Sequence, residues 1–261
     1  MKLIVNKLYN ENCLYTMEHM PEDYVDLTIT SPPYDNMRKY SSKSYFNFEE
    51  IAIQLYRVTK YGGVVVWIIN DWKRNGSKSL TTFKQGLYFK EVGFNMHDVM
   101  IWHKPNNMPN VIKNYYPTSF EYMFILSKGT PLTTNIIQVP CKHAGEILCN
   151  TKTKTSVYYR PHEQKPTKAT KPKQNVWTIP VGGRTNYGHP ATFPEQLVHD
   201  HMITWSNVGD LVYDPMAGVG TTLVVAKKLR RFYIGSEIVS KYCKSAMKRI
   251  EEVKWNAKSK M

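Results

Sequence analysis

Cysteine is scarce in this chain and never paired. Cys13, Cys141, Cys149 and Cys243 are scattered over 261 residues with no Cys-x-x-Cys spacing. That fits reduced thiols in a cytoplasm better than a disulfide framework. His143 stands near Cys141 and Cys149, but no tetrahedral ligand set is visible, so no metal is expected. Long apolar runs are missing too. No stretch approaches the roughly 20 residues of a membrane helix, so no membrane-embedded partner is expected. The opening MKLIVNKLYNEN has too short an apolar run for a signal peptide. Internal repeats are absent. Acidic residues are few, 21 against 35 Lys and Arg, which leaves a net charge of +14. So basic a balance points to an anionic partner, with nucleic acid the first candidate and an acidic membrane surface the second.

What is present is the material for a core: 42% of the residues are hydrophobic. The length suits one large α/β domain with an inserted region, or two small domains. Short β-branched runs alternate with amphipathic stretches, the pattern of a mainly parallel sheet flanked by helices. Strands are expected at 7–9, 25–30, 64–69, 99–102, 122–126, 211–213 and 232–235. Helices are expected at 14–20, 48–58, 80–91, 194–204, 221–229 and 241–253, with Gly62-Gly63 and Gly93 at helix ends. Residues 151–175 break the pattern. They carry Lys152, Lys154, Arg160, Lys165, Lys168, Lys171 and Lys173 against the single acid Glu163, with three prolines and no hydrophobic period. This reads as an insertion or a mobile loop.

Two stretches carry chemistry. In TITSPPYDN, residues 28–36, a buried strand stops on Ser31-Pro32-Pro33-Tyr34. Proline has no N–H, so this corner presents carbonyls without a competing donor. In LVYDPMAGVGTTLVVAKKL, residues 211–229, a strand runs through Asp214-Pro215 into Gly218-x-Gly220 and then a helix. Such a turn lets a ligand approach the backbone and the helix N-terminus. Thr221-Thr222 stand where a nucleotide-triphosphate loop would need lysine, so an ATPase is not read. Glu237 ends the next strand, where an acid can accept from ribose hydroxyls. Glycine turn plus acid fits a dinucleotide or S-adenosylmethionine.

Together, TSPPY at 30–34 and DPMAGVGTT at 214–222 resemble the signature pair of the amino-group DNA methyltransferases. The catalytic motif comes first, as in the circularly permuted β subgroup. HPATFPEQL (189–197), IWHKPNNMP (101–109), FEYMFILSKG (120–129) and VWTIP (176–180) resemble further segments of that family, and the likeness spans nearly the whole chain outside 130–175. The resemblance implies a Rossmann-like α/β fold with a mostly parallel seven-stranded sheet and helices on both faces. It implies one catalytic domain over 1–261 with a variable basic DNA-recognition insertion at 130–178. S-adenosylmethionine is the implied cofactor and duplex DNA the implied partner; a cognate restriction endonuclease is a further partner of such a system.

The implied reaction is methyl transfer to an exocyclic amine, a poor nucleophile whose lone pair is delocalised into the ring. Ser31 and the Pro32 carbonyl would accept the amine N–H as nitrogen attacks, Pro33 would fix the turn, and Tyr34 would stack on the extruded base. Asp214, Pro215, Gly218 and Gly220 would line the methionine end of the cofactor and Glu237 would hold its ribose. Thr192, Phe193, Thr221 and Thr222 would form walls, Phe193 serving equally well as core. Asn12 stands where the family carries an Asp toward the adenine amine, a departure that puts this contact in doubt. For DNA, Lys152, Lys154, Arg160, Lys165 and Lys168 would meet phosphates. Arg160, Arg184 and Asn186 are candidates for base reading. Lys104 and Asn106 fall beside the pocket, as does Trp102, which reads equally as core. The basic C-terminal helix (Lys241, Lys244, Lys248, Arg249, Lys254) is expected to be an exposed face.

The serine form of the motif leans toward cytosine N4, with adenine N6 the alternative. Cytosine C5 chemistry would need a cysteine nucleophile, and the one Pro-Cys pair, Pro140-Cys141, sits at the edge of the variable region. A decayed, non-catalytic DNA-binding protein would have lost the motif residues, yet Ser31, Tyr34, Asp214 and Glu237 all stand.

Overall fold

Side chains alternate between the two faces of a strand, and here both faces are apolar. The computed structural model describes residues 4–33, 46–106, 116–146, 166–181 and 193–253. In chain order the elements are β1 (Lys7–Tyr9), α1 (Cys13–Glu18), β2 (Val25–Thr30), α2 (Phe48–Val58), β3 (Thr59–Ile69), β4 (Lys73–Arg74), β5 (Ser77–Lys78), α3 (Thr81–Val92), β6 (Asn95–His103), β7 (Phe120–Ser127), β8 (Gln138–Pro140), β9 (Thr170–Pro172), β10 (Val176–Thr178), α4 (Glu195–Trp205), β11 (Leu211–Asp214), α5 (Thr221–Lys228), β12 (Phe232–Ser236) and α6 (Ser240–Glu252).

The main sheet has the order β1-β12-β11-β2-β3-β7-β6-β10. All its pairings are parallel except those of β7, which runs antiparallel to both β3 and β6. Leu27, Ile29, Val64, Val66 and Ile68 face one apolar cluster with α4, α5 and α6. Val25, Val65, Trp67 and Ile69 face a second cluster with α1, α2 and α3. Two covered faces explain why these strands read as continuous apolar runs. On one of these faces, α2 begins in a reciprocal cap: Asn47 Oδ1 accepts the Glu50 N–H at 3.3 Å and Asn47 Nδ2 donates to Glu50 Oε2 at 2.9 Å. Its Ile51, Ala52, Leu55 and Val58 then fall on one buried stripe.

The α/β architecture matches the expectation, but among the described residues the sheet has eight strands where seven were expected. The additional edge strand is β10, parallel to β6 through Val176–Ile101 and Thr178–His103. Three residues followed by Ile179-Pro180 are too short to carry a period. Gly62-Gly63, expected at a helix end, lies within β3 instead, because Gly62 N–H bonds the Lys128 carbonyl at 2.6 Å. Residues 136–174 separate as a second compact unit. Its described part contains the antiparallel pair β8–β9.

Candidate active site

The order of strands leaves a crevice between β11 and β2. From β11 the chain moves outward to β12, and from β2 it moves outward to β3, so helices diverge to opposite faces at that point. Ligands of open α/β sheets bind outside the carboxyl ends of strands at such a switch. Three of the singled-out residues stand at these ends: Ser31 after β2, Asp214 closing β11 and Glu237 after β12.

A buried hydrogen bond ties the two motifs together. Thr30 Oγ1 donates to Asp214 Oδ1 at 2.9 Å across a sequence gap of 184 residues. Thr222 reinforces the join. Its hydroxyl lies 3.3 Å from the Ile29 carbonyl and also bonds the Asp214 carboxylate. Met216 N–H donates to Asp214 Oδ1 at 3.1 Å. Asp214 is 1% exposed, and burial pushes its carboxyl up to about 6, with the Thr222, Thr30 and Met216 bonds working against the rise and the nearby Glu237 adding to it. Thr30 was overlooked because in sequence it is only the last residue of a strand.

The glycine turn follows from backbone geometry. Gly218 and Gly220 have φ of 54° and 76°, a region that favours glycine. A Cβ on Gly220 would lie 2.8 Å from Ala246 Cβ, so α6 packs directly on the turn. No side chain caps α5, leaving its first N–H groups for a ligand. Glu237 braces the turn: its Oε2 accepts the Gly218 N–H at 2.8 Å and its Oε1 the Val239 N–H at 2.7 Å. Burial raises the Glu237 carboxyl above the usual range. The named partners of both carboxylates are N–H and O–H groups, so a ligand with a cationic centre would offset their desolvation.

Arg249 also braces the turn. The C-terminal helix was expected to be an exposed basic face, and Lys241, Lys244 and Lys248 are exposed, but Arg249 is 8% exposed. Its Nη1 donates to the Val219 carbonyl at 2.6 Å and lies 3.3 Å from Thr221 Oγ1, while Nη2 pairs with Glu195 Oε1 at 3.2 Å. The spacing Cys243, Ala246, Ile250 marks the buried stripe of this helix and would have placed Arg249 on its edge.

Other expected site residues have different partners. Asn12 Oδ1 caps α1 by accepting the Leu14 N–H at 2.9 Å, so its oxygen is already engaged. Lys104, expected to meet DNA, is paired with Glu121 and lies 4.5 Å over the Trp102 ring. Both amide atoms of Asn106 bind the Val181 backbone, Oδ1 accepting at 2.8 Å and Nδ2 donating at 3.1 Å. Trp102 is core, with Nε1 donating to the Ile179 carbonyl at 2.8 Å. Phe193 packs half-buried against the α4–α6 cluster. Pro32 and Pro215 are buried, Ser31 and Pro33 half-buried, and Lys168 is exposed in the second unit. Tyr34, Thr192, Arg184, Asn186, Lys152, Lys154, Arg160 and Lys165 lie outside the described residues. Among the described residues no cluster of His, Cys, Asp and Glu could hold a metal ion, and no helix is long and apolar enough to cross a membrane.

A parallel sheet with one antiparallel strand, a glycine turn at the switch point and an acid on the next strand define a Rossmann-like methyltransferase fold. Solved structures agree. The PvuII DNA methyltransferase (cytosine-N4-specific) superposes with a TM-score of 0.72 at 22% identity, covering 95% of this chain and 87% of that one. The complex of M1.HpyAVI with SAM gives 0.60 at 22% identity, covering 93% and 98%. The N6/N4 methyltransferase family model, described as DNA methylase, matches residues 25–248, and this chain belongs to that family. It is 44% identical over 249 residues to the orphan methyltransferase M.BamHII of Bacillus amyloliquefaciens, covering 90% of this chain and 91% of the relative. It is 26% identical over 257 residues to the Type II methyltransferase M.BglII of Bacillus subtilis, covering 91% and 67%. The resemblance drawn from TSPPY and DPMAGVGTT therefore holds: the chain is an amino-group DNA methyltransferase.

Proposed function

We propose that this enzyme methylates N4 of a cytosine extruded from duplex DNA, at a site-specific sequence, in the cytoplasm. The observation that carries the reading is the Thr30–Asp214 bond, which sets the S-P-P corner beside the glycine turn. S-adenosylmethionine, when bound, supplies a methyl group activated on a sulfonium. Gly218, Gly220, Pro215 and the first turn of α5 hold its methionine end, Asp214 and Glu237 offset its positive charge, and Glu237 takes the ribose. Thr221, Thr222, Phe193 and Thr192 wall the pocket. Ser31 Oγ and the Pro32 carbonyl accept the amine N–H as nitrogen becomes tetrahedral, and Tyr34 stacks on the base. The serine of the motif favours cytosine, and the neighbour titled cytosine-N4-specific has the same fold.

The insertion around 136–174, with Lys152, Lys154, Arg160, Lys165 and Lys168, contacts DNA, and Arg160 and Arg184 are the candidates for base reading. Lys104 and Asn106 position the pocket wall through Glu121 and Val181 rather than touching phosphate. A cognate endonuclease draws support from the Type II name of M.BglII, whereas M.BamHII is named an orphan.

The test is direct. The protein is incubated with methyl-labelled cofactor and mixed-sequence duplex, and the DNA is digested to nucleosides. Label in N4-methylcytosine is expected. Label in N6-methyladenine would move the target to adenine, and label in 5-methylcytosine, or none, would refute amino methylation of DNA.

A further inference from the structure

We propose that Arg249 and Glu195 are positioning residues for cofactor binding: together they clamp the glycine turn to the start of α4, so that two walls of one pocket keep a fixed spacing. The inference rests on the reading above, in which the cofactor lies against the glycine turn and Phe193. The turn cannot set its own shape. Gly218 and Gly220 both have positive φ, and glycine has access to more backbone conformations than any other residue. The restraint comes from neighbours. The Gly220 N–H bonds the Ala217 carbonyl at 2.7 Å, and the Ala217 N–H bonds the Ser236 carbonyl at 2.9 Å. The carbonyl of Val219, between the two glycines, accepts Arg249 Nη1 at 2.6 Å. The peptide plane from Val219 to Gly220 is thus held at both ends, by Ala217 on its N–H and by Arg249 on its carbonyl.

The rest of the guanidinium fixes where the turn sits. Nη1 also lies 3.3 Å from Oγ1 of Thr221, the first residue of α5, and Nη2 pairs with Glu195 Oε1 at 3.2 Å. Glu195 is the first residue of α4 and follows Phe193 by two positions. Its other oxygen, Oε2, pairs with Lys228 Nζ at 2.5 Å. The two ion pairs differ in kind. Lys228 and Glu195 are both exposed, and a surface pair of that sort contributes little. The Arg249 side chain is buried, and its planar fork serves a carbonyl and a carboxylate at once, which the single ammonium of a lysine cannot reproduce.

Helix docking does not need this charge. α6 already packs on the turn through Ala246 Cβ and Ile250 Cδ1, which stand 2.8 and 3.7 Å from a Cβ built on Gly220. Lys227 Nζ donates to the Ile250 carbonyl at 2.7 Å and ties α5 to the end of α6. A buried ion pair carries a desolvation cost, and apolar residues of similar volume often hold two elements together as well or better. An apolar side chain could not donate to the central carbonyl of the turn while gripping the first residue of α4. The pair therefore specifies a backbone conformation rather than adding stability, and the backbone it specifies is the one the cofactor meets.

The experiment measures the affinity of the full chain for S-adenosylmethionine by calorimetry, at a temperature where circular dichroism shows each variant folded, so that lost stability alone leaves the result unchanged. Arg249→Met should weaken binding at least about tenfold, the effect of losing a hydrogen bond from a charged group. Glu195→Ala should weaken it about threefold or more, and the double variant no further than Arg249→Met, because Glu195 acts through Arg249. Arg249→Lys keeps the charge without the fork and should fall between wild type and Arg249→Met. Lys228→Gln should stay within about twofold of wild type. In steady-state kinetics the loss should fall on the KM for the cofactor more than on kcat. If Arg249→Met does not fold, Glu195→Ala and Arg249→Lys decide, and wild-type affinity in both overturns the proposal. Wild-type affinity in a folded Arg249→Met, losses that simply add in the double variant, or a Lys228→Gln loss equal to that of Glu195→Ala would each overturn the proposal alone, so long as Asp214→Asn loses affinity. If Asp214→Asn also binds as wild type does, the placement of the cofactor on this turn falls, and the proposal with it.

Discussion

Replacing Asp214 by Asn should make the protein more stable and worse at binding its cofactor. Asp214 is buried, and burial is the largest influence on its carboxyl, lifting it from an ordinary 3.8 to about 6. At pH 7 the group is ionised in both states, so the folded state bears the cost of a buried charge. Each pH unit corresponds to about 1.4 kcal/mol, so the difference amounts to about 3 kcal/mol. The sign follows from proton counting. The folded state holds its proton more tightly than the unfolded chain, so between about pH 4 and 6 it binds more protons and stability falls as pH rises. Asn keeps an oxygen for Thr30 and Met216 while removing the charge. Asp214→Asn should therefore gain up to about 3 kcal/mol at pH 7, shrinking to less than about 1 kcal/mol near pH 4, where the wild-type carboxyl is largely protonated. Urea midpoints of both proteins at the two pH values provide the measurement, since other groups titrate alike in each. Calorimetry with S-adenosylmethionine should show affinity falling at least about tenfold as the anionic partner of the cationic cofactor disappears. A variant less stable than wild type at pH 7, or a gain of equal size at both pH values, would refute the reasoning.

Ser31→Ala should leave cofactor affinity within about twofold and cut turnover by about a hundredfold or more, because it removes an acceptor needed only during attack; equal loss of binding in Ser31→Ala and Asp214→Asn would contradict the division of roles. Gly220→Ala should cost roughly 2 kcal/mol, since φ is 76° and the new Cβ would stand 2.8 Å from Ala246 Cβ, an atom that no side-chain rotation can move. Urea unfolding checks this, and a variant as stable as wild type would show that α6 does not press on the turn.

Much of the fold could be read from the amino-acid order, for physical reasons that differ by element. β2 at Val25–Thr30 and α2 at Phe48–Val58 fall where the sequence put them, because a β-branched run ending in proline and an Asn-capped amphipathic stretch are local signals. For Lys104 and Asn106 the partners lie far away in sequence, and for Arg249 the signal lies within its own helix. Lys104 looked free because Glu121, its partner, lies on the neighbouring antiparallel strand. Asn106 looked exposed and polar, and it is exposed, but its amide clamps Val181, a pairing set by β10 joining the sheet. Arg249 looked like one more surface cation, although the stripe of Cys243, Ala246 and Ile250 points the same side inward. Charge alone does not say which lysine or arginine meets solvent; the burial period of the helix does.

The same distinction explains why the site survives with its motifs in permuted order. Beyond the turn from β11 into α5 and the corner after β2, none of its groups depends on a connection. Ser31, Asp214 and Glu237 each stand at the carboxyl end of a strand, and β2, β11 and β12 are neighbours in the sheet whatever the order in which the chain visits them. The contacts that join the site are lateral: Thr30 to Asp214, Thr222 to Ile29, Glu237 to Gly218. They cross between strand ends or from a helix start to a strand. A chain opened at a different loop keeps all three, provided the strands keep their neighbours. The sheet order, rather than the order of motifs along the chain, is what such a site requires.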